Sequence, residues 1–455
     1  MNIEWRQQIL HSSFYTLHFY YIEHYVKQAF LIAAPMSGSG KTTIARGVMA
    51  CLRQRGYTVQ PFKCGPDYID TKFHSAVCGR PSVNLDSFMS TPAHIRDLFA
   101  RYGSDADVCV VEGMMGLFDG YDRDLGSSGE IAGILDIPVL LVVDARSAAY
   151  STAALLRGFL GFREEMRIAG VIFNKVGSKG HEAMLREVCA DLGVTCLGCV
   201  PKRRELEVGS RYLGLDFSEE GDTKALTGLI ESHVDLEGLL SLSAPTAQTA
   251  RGTERRGRTD GGGGSLSVLR GRRVSIARNG ESFSFIYQEV LDSWRDVSCF
   301  DPERDVPDLS KTDLLYLPGG YPEKHLEALA RNEACRRAIK AYAEGGGAVR
   351  AECGGMMYLC RSIITDEGSW PMCGVLPYDI TARQADRRLS LGYRRFALDG
   401  REYRGHEFHY TRFSGPAPQS VTQVYDAKGR PVETAVLRYK NVLASYCHLT
   451  LKIED

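Results

Sequence analysis

Ser37-Gly38-Ser39-Gly40-Lys41-Thr42-Thr43 is the first stretch of the chain whose residue types imply chemistry. Glycines let backbone N–H groups turn inward around phosphate oxygens, and a helix N-terminus that follows adds partial positive charge. In such a loop Gly38 and Gly40 allow the close approach, and Lys41 reaches the β- and γ-phosphates of ATP. The Thr42 hydroxyl ligates Mg2+, with Thr43 beside it. The usual pattern opens on a glycine where this chain has Pro35. The bland alternative is a glycine-rich turn with an exposed lysine. It is weakened by the apolar run Phe30–Ala34 before the loop and the amphipathic stretch Thr42–Arg55 after it.

Charged residues follow the next apolar runs. Glu112 closes Val108–Val111, where a carboxylate beside a phosphate loop can hold Mg2+ directly or through water. Asp119 lies further along the same glycine-rich segment. Lys63, Asp67 and Asp70 follow Tyr57–Phe62 and would face the phosphates from the neighbouring strand end. Asn174 follows Ile168–Phe173, where a side-chain amide can read a nucleotide base. For each of these, the alternative is a solvated turn residue.

A second centre lies far downstream. Ala351-Glu352-Cys353-Gly354-Gly355 sits between an apolar run and a short helix-forming stretch, Met356–Leu359. A nucleophile on a glycine-flanked turn between strand and helix is a nucleophile elbow, and a helix N-terminus there is expected to favour thiolate. Such a cysteine needs a base. His448, after Val442–Cys447, is the first choice, with His406 and His409 competing. Leu317-Pro318-Gly319-Gly320 follows another strand, and N–H groups at Gly319 and Gly320 would form an oxyanion hole for a thioester. Arg350, a charge inside an apolar strand, has no role at this level. Cys196 and Cys199 form half a metal site, but no second pair or histidine stands at zinc spacing, so no bound zinc is expected.

These groups need strand ends to hold them. Apolar runs at 30–34, 57–62, 108–111, 139–143 and 168–173 alternate with amphipathic segments, the pattern of a parallel sheet covered on both faces. Ligands of such sheets sit at the carboxyl ends of the strands, where every polar motif above falls. From about Leu242 to Arg273 the pattern collapses into Pro, Ser, Thr, a basic run and Gly261–Gly264, which reads as a linker. A second α/β pattern then begins, with strands at 274–277, 314–317 and 348–352. The expected organisation is an extension (1–29), a phosphate-loop domain (30–242), a linker (243–272) and a second α/β domain (273–455). The extension is rich in aromatics and His, without the layout of a signal peptide. It is either an added helix or leader from a misplaced start.

A formal net charge of −1 argues against nucleic acid as a partner. No apolar run reaches membrane-spanning length. Thirteen scattered cysteines fit reduced thiols in the cytoplasm better than a disulfide framework.

Taken together, the segments resemble the cobyrinate a,c-diamide synthase family. The marks are the phosphate loop, Pro61 to Asp70, Asn84 to Ser87, Val111 to Gly120, Leu317 to Glu323, Ala351 to Gly355 and Arg404 to Tyr410, in order from about residue 30 to the end. The resemblance implies a synthetase domain similar to dethiobiotin synthetase, followed by a class I glutamine amidotransferase domain. It implies ATP- and glutamine-dependent amidation of the a and c carboxylates of cobyrinate, in cobalamin biosynthesis. Cys353 would be the glutaminase nucleophile and His448 its base, while Asp67, Asp70, Glu112 and Asp119 would handle substrate and metal. Hydrogenobyrinate and Ni-sirohydrochlorin are the competing substrates; a partitioning-type ATPase is the reading from another class. A homodimer is the candidate assembly. Class I enzymes usually carry His-x-Glu, whereas His448-Leu449 is followed by Thr450, so a Cys–His dyad is expected.

Overall fold

The computed structural model describes residues 28–202, 220–243 and 272–449. Nearly all of the extension, most of the linker and Thr450 lie outside them. The first domain is a seven-stranded sheet of β1 (Gln28–Ala33), β2 (Val59–Cys64), β3 (Val83–Leu85), β4 (Val108–Glu112), β5 (Val139–Asp144), β6 (Ile168–Val176) and β7 (Thr195–Pro201). Its order is β3-β2-β4-β1-β5-β6-β7, every pairing parallel. β3 and β7 extend the sheet beyond the five strands expected, because one is three residues long and the other begins on exposed Thr195.

The alternation within β1 shows why the sheet needs cover on both sides. Ala29, Leu31 and Ala33 pack into one apolar cluster, and Phe30, Ile32 and Ala34 into another on the opposite face. Each fully buried large side chain contributes roughly 1.5–3 kcal/mol. Eight described helices provide this cover, in chain order α1 (Lys41–Gln54), α2 (Asp70–Cys78), α3 (Pro92–Gly103), α4 (Ser128–Leu135), α5 (Thr152–Phe162), α6 (Lys179–Leu192), α7 (Glu220–His233) and α8 (Leu236–Leu242). α1 packs so closely on α7 that a Cβ on Gly47 would sit 2.4 Å from Ile230 Cγ1.

The second domain is built on a six-stranded sheet, β20-β21-β11-β10-β8-β9, from β8 (Arg273–Ala277), β9 (Asp296–Phe300), β10 (Leu314–Leu317), β11 (Val349–Glu352), β20 (Val436–Tyr439) and β21 (Val442–Ser445). Only β20 runs antiparallel to its neighbour. Two smaller sheets follow that the α/β pattern did not foretell: one of β12 (Ser362–Thr365), β13 (Gly368–Pro371), β14 (Asp379–Thr381) and β17 (Arg412–Ser414), and a larger one that includes β18 (Val424–Asp426) and β19 (Pro431–Val432). The larger one is organised by a long hairpin, β15 (Ser390–Leu398) against β16 (Arg401–His409), with β22 (His448–Leu449) at its edge. The hairpin strands mix exposed and buried positions and the remaining strands are two to four residues long, so these sheets carry little apolar signal.

The hairpin joins the domains. Tyr393 Oη donates to Asp86 Oδ2 at 2.8 Å, and Arg404 Nη1 to the Phe88 carbonyl at 3.2 Å. One buried apolar cluster contains Tyr68, Phe88 and Met89 from the first domain and Val274, Ile276, Phe285 and Tyr287 from the second.

Candidate active site

β1, β4 and β2 are adjacent, so the loops that leave their carboxyl ends converge. Register pairs Ile32 with Glu112 and Glu112 with Lys63. Gly38 and Gly40 adopt left-handed φ of 78° and 92°, and Gly40 begins α1 with no side-chain cap. The first N–H groups of α1 are thereby left to the loop, as phosphate binding requires. Lys41 Nζ donates to the Met115 carbonyl at 2.5 Å. Leu117 N–H donates to the Ala34 carbonyl, which ties the Glu112–Asp119 segment to the loop entrance occupied by Pro35.

Glu112 is fully buried at the centre of this end. Its Oε1 accepts from Thr42 Oγ1 at 2.6 Å and from Lys63 Nζ at 3.0 Å, and its Oε2 lies 2.5 Å from His74 Nε2. Lys63 also pairs with Asp70 at 2.7 Å. Burial opposes every charge here; for Glu112 the Lys63 cation and the His74 and Thr42 contacts overcome it, so its carboxyl is held well below the usual range. For Lys63, Glu112 and Asp70 overcome the same burial and raise the ammonium above its ordinary value. A hydroxyl and a carboxylate oxygen at 2.6 Å fit Mg2+, which takes one or two protein oxygens and completes its shell with phosphate and water. Among the described residues no group of three or more His, Cys, Asp or Glu forms a metal site by itself.

The other predicted residues divide into turn-builders and cavity walls. Asp67 Oδ1 accepts from the N–H groups of Ile69 and Asp70, and Asp119 Oδ2 from Gly116 N–H. Both line the cavity described below. Asn174 is turned toward the loop itself: its Nδ2 donates to the Ser39 carbonyl at 2.9 Å and its Oδ1 accepts from Lys175 N–H. Lys175 Nζ reaches the Gly38 carbonyl at 2.8 Å. In this arrangement the Asn174 amide braces the phosphate loop.

In the second domain β10, β11 and β21 are neighbours, and their ends carry Gly319, Cys353 and, just beyond β21, His448. Cys353 has φ 46° and ψ −110°, a strained elbow, with its N–H donated to the Ser445 carbonyl. It opens α12, Gly354–Leu359, which follows three further helical segments, α9 (Gln288–Ser293), α10 (Leu326–Arg331) and α11 (Glu333–Glu344). The glycines are sterically required. A Cβ on Gly355 would lie 2.0 Å from the Leu317 carbonyl oxygen, and one on Gly354 would lie 3.0 Å from Gly320 N. The His448 ring presses on the same turn: a Cβ on Gly319 would sit 2.2 Å from its Cε1. The turn at Gly319 and Gly320 thus touches both the elbow and His448.

Electrostatics correct one expectation. Gly354 N–H at the start of α12 does favour thiolate, but burial outweighs it and pushes the Cys353 thiol up, with Glu323, Glu407 and Glu352 adding to the rise. His448 is buried, stacks on His406 with ring centroids 5.0 Å apart, and is held well below its ordinary value by burial and by the neighbouring histidines. His406 falls to about 3, chiefly by burial. His409 stacks instead on Tyr446 and bonds the Thr411 carbonyl. The centre is therefore a neutral thiol beside a neutral imidazole.

Arg350 now has a role. Its Nε donates to Glu352 Oε1 at 2.8 Å and its Nη2 to the Leu449 carbonyl at 3.0 Å. Tyr316 Oη donates to Glu352 Oε2, and Leu449 N–H approaches Glu352 Oε1 at 3.4 Å. This buried network anchors the strand that begins at His448. A cavity of about 650 Å3 lies between the two domains, with walls of Asp67, Met115 and Asp119 on one side and His406, Phe408 and His448 on the other. Tyr68 stands between them. It stacks on Phe285 at 5.2 Å and lies 5.1 Å from the His448 ring. Neither His74, Tyr68 nor Glu352 was a sequence candidate, although Tyr68 adjoins Asp67 and Glu352 adjoins Cys353.

Family models match both halves. A CobQ/CobB/MinD/ParA nucleotide binding domain covers residues 30–213, and a CobB/CobQ-like glutamine amidotransferase domain covers residues 281–455. The class is that of two-domain, nucleotide-using glutamine amidotransferases. The hydrogenobyrinate a,c-diamide synthase of Rhizobium meliloti (strain 1021) is 38% identical over 435 residues, 92% of this chain and 98% of that protein. The cobyrinate a,c-diamide synthases of Caldanaerobacter subterraneus subsp. tengcongensis and Listeria monocytogenes serotype 4b are 37% and 39% identical, over 93% and 92% of this chain and 95% of each relative. The chain belongs to this a,c-diamide synthase family of ATP- and glutamine-dependent ligases.

Proposed function

We propose that the enzyme amidates the a and c side-chain carboxylates of cobyrinate through an acyl phosphate. The observation that carries the reading is the cavity walled at one end by Asp67 and Asp119, beside the phosphate loop, and at the other by His448. A substrate carboxylate in that cavity attacks the γ-phosphate of ATP, and Lys41 and Lys63 oppose the charge that develops. Mg2+, held by Thr42 and Glu112, would neutralise phosphate charge. Cys353 attacks glutamine as His448 accepts its proton, and N–H groups at Gly319 and Gly320 hold the oxyanion. Ammonia crosses the cavity and displaces phosphate, while Asp67, Asp70 and Asp119 orient the substrate end.

Relatives named for cobyrinate and for hydrogenobyrinate match this chain equally well, so hydrogenobyrinate is the second reading. The reading has no nucleic-acid or membrane partner; among the described residues no helix is long and apolar enough to cross a membrane. It assigns the enzyme to the cytoplasm and leaves a homodimer for sizing to test. The decisive experiment follows the masses of cobyrinate and hydrogenobyrinate incubated with ATP, Mg2+ and glutamine. Two successive amidations of cobyrinate are expected. An unchanged cobyrinate alongside a diamidated hydrogenobyrinate would overturn the substrate assignment.

A further inference from the structure

Cys196 and Cys199, which have no place at the active site, meet a third thiol. β7 is the outermost strand of the first sheet. Three residues apart on a regular strand, the two side chains would point to opposite faces. A register shift between Val171 and Ile172 absorbs one extra residue of β7, so that Val171 pairs with Cys196 but Ile172 with Gly198. The bulge turns Cys196 and Cys199 onto one face, where both pack in the cluster containing Cys189 of α6, while Leu197 and Val200 face the opposite cluster.

The Cys196 thiol shares this cluster with Cys189 and Cys199, and its sulfur lies 3.8 Å from Arg186 Nη1 and 3.9 Å from the Gly198 carbonyl oxygen. Cys196 is half-buried; the other two are buried. Glu182 also pairs with Arg186 at 2.8 Å, so the guanidinium is held in place and shared. Two thiol donors, first Cys189 and then Cys199, together with Arg186 favour the thiolate of Cys196 and leave its neighbours protonated. Low-pKa, accessible thiols of this kind are the ones that oxidants find.

We infer that Cys196 is a thiol-modification site that reacts with hydroperoxides and closes a disulfide with Cys189. The Cys196 thiolate attacks the terminal peroxide oxygen: an S–O bond forms, the O–O bond breaks, and hydroxide, or alkoxide from an alkyl hydroperoxide, leaves and takes up the proton the thiol released. Sulfur is oxidised and peroxide reduced, giving a sulfenic acid. The Cys189 sulfur then attacks that sulfur, the S–S bond forms, and hydroxide departs with the proton Cys189 gives up. The sum is two thiols and one hydroperoxide to one disulfide, one water and one alcohol or second water. Cys189 rather than Cys199 is the partner. Cys196 and Cys199 are held at separate positions of one ladder by pairing with β6, whereas Cys189 sits on α6 and packs in the same cluster as Cys196.

The test treats the intact protein with one equivalent of hydrogen peroxide and maps peptides without reduction. A Cys189–Cys196 cross-link is expected, ahead of any oxidation at exposed Cys299. In Cys189→Ser a sulfenic-acid probe should accumulate on Cys196 instead. Should that variant fold poorly, Arg186→Gln offers the same test from the surface: alkylation of Cys196 near neutral pH should slow several-fold while Cys299 is unchanged. A Cys196–Cys199 bridge would overturn the pairing. Equal or faster reaction of Cys299, or no effect of Arg186→Gln, would overturn the site.

Discussion

At the scale of single residues the two centres use burial in opposite ways. Around Glu112, buried charges are matched by buried partners, and removing one partner strands the others. Lys63→Met leaves Glu112 and Asp70 without their cation, and is expected to cost about 3–5 kcal/mol, the range for broken buried pairs. Thermal unfolding with and without ATP would measure it; an unchanged midpoint would contradict the pairing. Around Cys353, burial keeps both the thiol and His448 neutral. The pH dependence follows from those directions. The reacting pair is the neutral thiol with the neutral imidazole, and it keeps that state while the thiol is held above and His448 well below its ordinary value, so glutamine hydrolysis should be flat from pH 6 to 9, without an acid limb near 6.5. A bell centred near neutrality would mean a different base. Cys353→Ala should abolish glutamine-dependent amidation and leave ammonia-dependent amidation intact.

At the scale of elements, glycine positions decide which strand ends can meet. Gly319→Ala would drive a methyl into the His448 ring, 2.2 Å from Cε1. The prediction is a loss of glutaminase turnover of 100-fold or more, about 2.7 kcal/mol at about 1.36 kcal/mol per tenfold, with ATP binding unaffected. Isothermal titration with ATP separates this from misfolding. In the other domain, Asn174→Ala removes the brace on the Ser39 carbonyl. KM for ATP should rise roughly tenfold, the effect of one well-placed hydrogen bond, with less change in kcat. The element-level reading of the chain succeeded where strands were long and apolar on both faces. It missed β3, β7, β9 and the sheets after Ser362, whose strands are short or partly exposed and are paired by tertiary contact. The same limit applied to Tyr68 and His74: an aromatic and a histidine at helical or loop spacing look like core until their partners are known.

At the scale of the whole molecule, the contact that matters is Tyr68 between the domains. It rises from the segment containing Asp67 and reaches the His448 ring, so the synthetase end contributes a wall of the glutaminase end. Tyr68→Ala should raise the ratio of glutamine hydrolysed to amide formed while preserving glutaminase activity; a ratio that stays at one would separate the wall from coupling. Acid stability is also a property of this junction. His406 titrates at about 3 in the folded protein, mainly because it is buried, against about 6.5 unfolded. Between those values the unfolded chain binds a proton that the folded chain does not, so stability falls as pH drops, by up to about 1.4 kcal/mol per unit for each such group. His406→Gln should flatten the fall in melting temperature between pH 7 and 5. What the sequence determined by itself was the chemistry available: a phosphate loop and a cysteine elbow, each written in local residue types because backbone turns and helix starts are local. Tertiary structure alone decided that Glu112 is shared by Thr42, Lys63 and His74, that Arg350 anchors the strand of His448, that Asn174 holds the loop, and that one cavity takes its walls from both domains. Those facts depend on which strands lie side by side, and adjacency in a sheet is fixed by long-range packing rather than by neighbours in the chain.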